Sequence, residues 1–317
     1  MAVLGVDLGG TKLSLAVFSE DGRMLRKEAI ALDHREGKEV GQLIIHEIEK
    51  ILISQDENEY VQSIGIAVPG ISRHKTGTVW APNIPGWEDY PLLEEVQQFT
   101  RQIPVVIDSD RACYISGELW KGNAQGCNDA IFLAIGTGIG AGILINGNIL
   151  HGSHGISGAV GWMALDRPFD EKYISCGCFE YNASGEGIAK VSREFLLKSP
   201  GYGGELRKKL PAEINAHDVF LAYEKNDVVA KAVIEHCIGF WGMAVANLVS
   251  LFNPEKIILG GGVFGPANQF ISAIHGEAGK WAQPISMGQV ELVSSKLGSD
   301  AGLYGAGFLA LREVNLV

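Results

Sequence analysis

The sequence predicts an α/β protein with two domains of similar plan and a cleft between them. The chain has 317 residues, which is enough for two domains of roughly 100–200 residues each. Each half opens with a strand, a glycine turn and a second strand, after which helices and strands alternate. The 41 glycines, about 13% of the chain where roughly 7% is usual, gather directly after predicted strands.

The first domain, residues 1–120, is predicted to contain five strands and three helices. Lys12–Phe18 alternates polar and apolar residues as a half-buried strand does, and Asp21-Gly22 is typical of a hairpin turn. Apolar residues in Val40–Leu52 recur at helical spacing. In chain order, the predicted elements are strands at Ala2–Val6, Lys12–Phe18 and Arg23–Ile30, a helix at Val40–Leu52, a strand at Ile64–Val68, a helix near Leu92–Phe99, a strand at Val105–Ile107 and a helix at Arg111–Trp120.

The second domain, residues 121–302, repeats this opening. Two apolar strands, Ala130–Ile135 and Ala141–Ile145, flank a glycine turn, and Asn146-Gly147-Asn148 predicts a hairpin. An irregular stretch is expected up to about Asn182. The elements predicted after it are helices near Gly185–Leu197, His217–Tyr223 and Asp227–Phe252, a strand at Lys256–Leu259, a helix near Ala267–Trp281, a strand near Val290–Val293 and a final helix near Asp300–Arg312. Residues from about 303 to 317 are expected to pack back on the first domain.

Composition and charge argue against several classes of protein. The net charge is −11, and because an acidic surface repels phosphate, neither nucleic acid nor an anionic membrane is expected as a partner. No apolar run is expected to approach the ~20 residues of a membrane span, and no secretory signal is visible. Five cysteines, an odd number in a long chain, are typical of reduced thiols and a cytoplasmic location. The acidic residues within 56–59 are expected to be solvated.

Three glycine turns predict a nucleotide site. They are Gly9-Gly10, Gly136–Gly142 and Gly260–Gly262, and each follows a predicted strand. Glycine lets backbone N–H groups approach phosphate oxygens where a Cβ would obstruct them. Any one such turn is more often structural, since hairpins use glycine routinely, but three of them at strand ends favour a bound nucleotide.

A dehydrogenase is the competing interpretation of the third turn. Gly260–Gly265 fits the dinucleotide pattern G-x-G-x-x-G after a strand. However, only ~50 residues follow it, too few for the two halves of a dinucleotide fold, and Pro266 stands at the start of the next helix. A Walker loop is absent from the sequence, so we expect the phosphates to be held by hairpin turns.

At these residues the chain resembles the ROK family of sugar kinases, within the actin/hexokinase superfamily. The resemblance extends over essentially the whole length. It implies two ribonuclease H-like domains flanking a nucleotide and sugar cleft, with ATP and Mg²⁺ as cofactors and a homodimeric assembly. The motifs that carry it are Asp7–Lys12, Gly136–Gly142, Asn253-Pro254, Ile257–Gly262 and Gly298–Gly302. The family also contains repressors with an N-terminal helix-turn-helix; here the first strand begins at Ala2, so the kinase branch is expected.

The resemblance implies a role for each phosphate motif. Asp7 would orient Mg²⁺ through water, and Thr11 and Lys12 would lie at the γ-phosphate. The glycine turns would contact the nucleotide through Gly9, Gly10, Gly136, Thr137, Gly138, Gly140, Gly260, Gly261 and Gly262. Three alternatives stay open: Asp7 as a turn cap, Lys12 as a solvated strand residue, and Asp300 as a helix N-cap rather than a catalytic group.

The resemblance places the catalytic base at Asp110. The family has Glu-Asn-Asp-Ala-Asn between a strand and a helix, where this chain has Asp108-Ser109-Asp110-Arg111-Ala112. A carboxylate at a helix start is held rigidly and is favoured in its ionised form by the helix dipole. The alternative is that Asp108, Ser109 or Asp110 only caps the helix, and capping is the expected role of Asp108.

The sugar contacts are where the chain departs from the family pattern. The family's Gly-Glu-Ile-Gly-His becomes Gly158–Trp162, so Ala159 and Trp162 replace a Glu and a His that hold sugar hydroxyls. The residues expected to contact the sugar are Gly70, Asn83, Ser109, Asp110, Trp162 and Glu180. The alternative for Trp162 is a ring turned into the core. The family's zinc site is also incomplete, because only Cys176 and Cys178 remain, so no zinc is expected unless His151 or His154 supplies a ligand.

These features predict an ATP-dependent kinase that transfers the γ-phosphoryl group to a hexose, by family habit to its 6-hydroxyl. Two alternatives are kept. One is a kinase for a modified sugar, such as an N-acyl hexosamine, a glycoside or a polyol. The other is a sugar- or nucleotide-binding sensor without turnover. Retention of Asp110 beside three phosphate turns favours the kinase, because a protein that only binds its ligand needs no base.

Overall fold

The computed structural model describes residues 1–54, 60–100 and 102–314. The predicted solvated residues 56–59 and the last three residues of the chain lie outside this description. The first part of the chain forms a five-stranded sheet in the order β3-β2-β1-β4-β7. Its strands are β1 (Ala2–Leu8), β2 (Lys12–Ser19), β3 (Met24–Ala31), β4 (Val61–Val68) and β7 (Val105–Ser109). Between β4 and β7 lies a small hairpin of β5 (Ile71–Arg73) and β6 (Thr78–Trp80).

A second five-stranded sheet repeats the plan in the order β10-β9-β8-β11-β12. Its strands are β8 (Ala130–Ile135), β9 (Ile139–Ile145), β10 (Asn148–Ile149), β11 (Lys256–Gly260) and β12 (Glu291–Ser294). In both sheets the first strand pairs antiparallel with its hairpin partner and parallel with the next strand along the sheet. The predicted repeat of one α/β plan is therefore confirmed, whereas the domain division at residue 120 stays a prediction.

Ten α-helices occur in the described residues. They are α1 (Lys38–Ile53), α2 (Leu92–Thr100), α3 (Asp110–Lys121), α4 (Cys178–Ala183), α5 (Gly185–Lys198), α6 (Ala216–Glu224), α7 (Val228–Phe252), α8 (Ile271–Ala278), α9 (Pro284–Met287) and α10 (Ala301–Val314). Most of them cover the faces of the two sheets, which bury separate apolar cores.

The last helix, α10, packs on β1, β4 and α3 of the first sheet. Glycine makes this close approach possible. A Cβ at Gly5 of β1 would lie 2.7 Å from the Leu303 carbonyl oxygen, and one at Gly305 of α10 would overlap the Cys113 carbonyl of α3. The backbones therefore touch directly, and the two ends of the chain share one core.

Several details of the prediction are wrong, and α9 was not predicted. The stretch expected to be irregular up to Asn182 contains α4, which begins after Gly177 in a left-handed conformation at φ 88°. The helix expected near Ala267–Trp281 is a 3₁₀ turn, Pro266–Phe270, followed by the shorter α8, which ends at Ala278. The hairpin of β5 and β6 was not expected at all.

The longest helix, α7, is long and apolar enough to cross a membrane by length and composition alone, which we expected of no segment. Its Phe240, Trp241 and Val245 are buried in the core of the second sheet. Core helices of globular proteins meet the same criterion, so this one is explained by its packing.

Candidate active site

Asp110 is the first residue of α3, directly after β7. Its Oδ1 accepts a hydrogen bond from the Arg111 backbone N at 2.8 Å, and the Tyr114 hydroxyl lies 3.5 Å from Oδ2. Loss of solvation raises the pKa of Asp110 to about 6, against the opposing charge of Arg111. Oδ1 is therefore held in place, while Oδ2 has only a long contact and is the oxygen better placed to take a proton.

Asp7 stands at the other end of this site, near the end of β1. Its pKa is raised to about 7, mainly by burial and next by the Asp110 charge, while Lys12 opposes the shift. A smaller contribution in the same direction comes from Asp300. Asp300 directly precedes α10, and its side chain accepts a bond from Lys27 Nζ at 2.6 Å. The structure therefore brings two carboxylates from β1 and α3 into one electrostatic site.

The second and third phosphate turns predicted from the sequence lie beside one another. A Cβ built on Gly136 would have Gly262 N as its nearest neighbour, at 3.9 Å, and one on Gly262 would meet nothing within 4 Å. The second and third turns thus face a common open space. The second turn is held at its back by the Gly185 backbone N, which donates to the Gly136 carbonyl at 2.7 Å. Open backbone of this kind fits the phosphates and base of a nucleotide.

The third turn also needs glycine for its own conformation. Gly261 has φ 87°, and a Cβ there would lie 2.5 Å from the Ile135 carbonyl oxygen at the end of β8. Gly260 precedes it at the end of β11. The first turn, Gly9-Gly10-Thr11, closes the β1–β2 hairpin through a bond from Gly9 N to the Lys12 carbonyl at 2.9 Å. This turn directly follows β1, the strand that carries Asp7.

Several predicted sugar residues lie next to the phosphate turns. A Cβ on Gly10 would be 3.8 Å from the Asn83 Cβ, so Asn83 stands beside the first turn. Gly70 has φ 109°, and its carbonyl oxygen accepts a hydrogen bond from Arg111 Nη2 at 2.9 Å. Gly70 is thereby tied to the residue that follows Asp110.

Glu180 is bound to the second turn. Its Oε2 accepts from the Ile139 backbone N at 2.7 Å, and burial raises the pKa of this carboxylate. A Cβ on either Gly138 or Gly161 would press on the Glu180 side chain. Gly140, on β9, instead faces the Arg111 stem. Glu180 therefore joins the phosphate turn around Thr137 to the segment that carries Trp162.

Ser109 caps α3, since its hydroxyl accepts from the Ala112 backbone N at 3.3 Å. The expectation that Asp108 is the cap is wrong, because its oxygens bind other groups. The Trp162 side chain is 58% exposed, so the alternative that its ring turns into the core is wrong as well. An exposed Trp162 therefore stands where the family pattern has a histidine.

Comparison with known proteins decides the family. The model of the ROK family matches residues 3–313, nearly the whole chain. The chain belongs to the ROK family. A glucokinase from Halalkalibacterium halodurans is 33% identical to this ROK protein over 98% of this chain and 96% of its own length. A β-glucoside kinase from Listeria monocytogenes is 28% identical over 99% of both chains.

A solved structure agrees with these relatives. The ROK glucokinase from Streptomyces griseus, in complex with glucose and AMPPNP, superposes with a TM-score of 0.80 at 29% identity, covering 98% of this chain and all of that one. The predicted fold and reaction class are confirmed: this ROK protein is an ATP-dependent sugar kinase, a phosphotransferase with a hydroxyl acceptor. The homodimer and the cytoplasmic location stay predictions.

The zinc site that the resemblance to other ROK proteins implies does not fit the residues present. Trp162 stands in place of the histidine. Cys178 is buried in α4, where its carbonyl accepts from Asn182, and Cys176 is the only other cysteine in the segment. Two thiolates do not complete a structural tetrahedral site. That this site holds no zinc stays a prediction.

One group of functional side chains was not expected in this ROK kinase. Asp108 Oδ2 lies 2.8 Å from His151 Nε2, and Asp108 Oδ1 lies 3.8 Å from His74 Nε2. The bond to Asp108 is the main reason that the pKa of His151 is raised. The sequence suggests His151 only as a partner for the two cysteines and indicates no role for His74. Intervals of 34 and 43 residues carry no local signal that would have joined them.

Proposed function

We propose that this ROK kinase phosphorylates a hexose that carries a substituent at C1 or C2, using Asp110 as general base. The observation that carries the choice of base is the pair Asp7 and Asp110, two poorly solvated carboxylates whose pKa values are raised to about 7 and about 6. A base near the working pH transfers protons most effectively. A carboxylate pair with divided roles, one at the metal and one at the acceptor, meets the needs of phosphoryl transfer.

Asp110 takes the proton of the attacking sugar hydroxyl. With Oδ1 occupied by the Arg111 backbone N, we assign the proton to Oδ2. The oxygen of the hydroxyl forms a bond to the γ-phosphorus as the bond from that phosphorus to the β-phosphate oxygen breaks. The proton then leaves Asp110 for solvent when the sugar phosphate dissociates. Asp110 is ionised and ready above about pH 6.

Asp7 is the residue that fits Mg²⁺, held through water, because a carboxylate oxygen is the ligand type this ion prefers. When bound there, Mg²⁺ would supply positive charge to offset the negative charge that develops on the phosphates during transfer. In the absence of the ion, the pKa of Asp7 is about 7, so binding displaces a proton from a large share of molecules at neutral pH. We expect Lys12 and Thr11 at the γ-phosphate and the open second and third turns at the rest of the nucleotide.

The substrate class is argued from three changed residues. Ala159 and Trp162 remove two side chains that would hydrogen-bond sugar hydroxyls, and the Ser109 hydroxyl is engaged as the cap of α3. A site with fewer hydroxyl partners discriminates less against a sugar that lacks a free hydroxyl. An exposed indole offers a face to the C–H side of a sugar ring or to an apolar substituent. The likeness to a β-glucoside kinase supports this class.

The test compares kcat/KM for glucose with that for methyl β-glucoside and N-acetylglucosamine. We expect the wild type to use at least one substituted sugar as well as glucose or better, and the double variant A159E/W162H to shift the ratio toward glucose by about tenfold or more. Trp281, which is 64% exposed and hydrogen-bonded to Glu277, provides the matched control W281H. A strong wild-type preference for plain glucose, or an unchanged ratio in the double variant, contradicts the proposed substrate class.

A further inference from the structure

His74, Asp108 and His151 form a cluster that none of the phosphate or sugar contacts uses. Each residue offers one ligand atom, and these atoms all lie within 4.8 Å of one another. His74 lies in the turn between β5 and β6, Asp108 is in β7, and His151 follows β10. Two ligands thus come from residues 1–120 and one from the second sheet's hairpin.

The spacing matches a coordination sphere. Zinc lies about 2.0–2.2 Å from nitrogen and oxygen ligands, so two ligand atoms on a tetrahedral ion are about 3.4 Å apart. The Asp108 carboxylate is 2.8 Å from His151 Nε2 and 3.8 Å from His74 Nε2, which brackets that value. The two imidazole rings stand edge to face, with centroids 4.9 Å apart. The three ligand atoms lie within 4.8 Å of one another, so binding one ion requires the exposed His74 and the half-buried His151 to shift by roughly 1 Å.

The surroundings hold the ligands in place. Asp108 is only 6% exposed, and its Oδ1 also accepts from the Ser109 backbone N at 2.7 Å. The His151 ring makes a second hydrogen bond, to the backbone of Ile149. A ligating histidine typically has its other ring nitrogen fixed in this way, which sets the tautomer and orients the ring.

We propose that His74, Asp108 and His151 bind one divalent transition-metal ion of the zinc class, with further coordination positions open to solvent. Two imidazoles and a carboxylate are a donor set suited to such ions. The ion would join the turn between β5 and β6 and the strand β7 to the segment after β10. It therefore acts as a structural cross-link beside the kinase site, because β7 leads straight into Asp110.

This site differs from the cysteine site that the family resemblance implies, because no thiolate takes part. Ser109, Arg111 and His151 line one narrow cavity, so the His151 ligand lies close to the start of α3, where the base stands. The proposal is independent of the substrate class, and its test requires no turnover.

The experiment uses the full chain without nucleotide, stripped with a chelator and reloaded with Zn²⁺ or Co²⁺. We expect one ion per chain by elemental analysis, a visible Co²⁺ spectrum without thiolate charge-transfer bands, and a melting temperature raised by the metal. In H74N and H151N, we expect affinity to fall by at least about tenfold and the thermal shift to disappear. The control H154N changes a nearby loop histidine outside the cluster and is expected to behave as wild type.

Melting curves of the stripped variants verify folding before binding is compared. No binding of either ion to stripped wild-type protein overturns the proposal. So does thiolate charge transfer in the Co²⁺ spectrum, loss of the metal in C176S/C178S, or unchanged binding in both H74N and H151N.

Discussion

Replacing Asp110 by asparagine tests the assignment of the base. D110N preserves the size of the side chain and an oxygen that can accept from the Arg111 backbone N, now at 2.8 Å from Oδ1. It removes the ability to take a proton. A general base typically contributes 10²–10⁴-fold, so we expect kcat to fall by at least ~10²-fold, which is about 2.7 kcal/mol in the activation barrier.

The structure also predicts what D110N leaves intact. The Asp110 charge raises the pKa of Asp7, so its removal lowers that pKa and favours the ionised form of Asp7. The affinity for Mg²⁺ and ATP is therefore expected to be unchanged or stronger. A coupled assay of ADP release gives kcat, and calorimetry with a non-hydrolysable ATP analogue gives the affinity. In wild type, activity is expected to fall below about pH 6 as Asp110 becomes protonated.

The matched control is D300N, which removes another acid that raises the pKa of Asp7 but is tied to Lys27 rather than aimed at an acceptor. We expect it to lower kcat by less than about tenfold. If D110N retained more than half of the wild-type activity, Asp110 would not be the base, and Asp108 would be the next residue to test.

Two further predictions concern stability. The pKa of Asp7 is raised on folding from 3.8 to about 7, so the folded state binds a proton that the unfolded state releases. The stability gained from this proton is fully present below about pH 4 and is lost as pH rises through 7. In calorimetry of nucleotide-free protein, we expect D7N to raise the melting temperature more at pH 8 than at pH 5, and equal shifts would contradict this expectation. G305A places a Cβ against the Cys113 carbonyl and is expected to lower the free energy of unfolding in denaturant by about 1–3 kcal/mol. In the control G276A the new Cβ meets nothing within 4 Å, so the free energy of unfolding should change little. Similar losses in the two variants would refute the close helix contact.

Local sequence patterns were enough to predict most of the fold. The strand–turn–strand openings were predictable because alternation and glycine turns act over a few residues, as in Lys12–Phe18. The helix α4 was missed because it has only six residues and begins after a glycine at positive φ, so that packing rather than propensity maintains it. The β5–β6 hairpin has three residues per strand, too few for a periodic signal.

The candidate site, like the fold, was predictable only where short motifs carry the signal. Motif resemblance pointed to Asp7 and Asp110, and the structure adds the effect of the Asp110 charge on the pKa of Asp7, which no sequence spacing reveals. The exchange of roles between Asp108 and Ser109 was not predictable, because both residue types cap helices and only hydrogen-bond geometry separates them. The partners of Asp108 come from distant turns, so only the folded chain brings them together.

The ribosome makes α10 long after β1 and β2, although the core of the first sheet requires it. Val3 and Phe18 of that sheet share one buried cluster with Leu303 and Leu311 of α10. At 5–20 residues per second, about 15–60 s separate the synthesis of the two parts. During that interval the growing chain presents an apolar sheet face with no cover. A message truncated before codon 301 would leave that face exposed permanently, so incomplete chains are natural clients for chaperones and proteases.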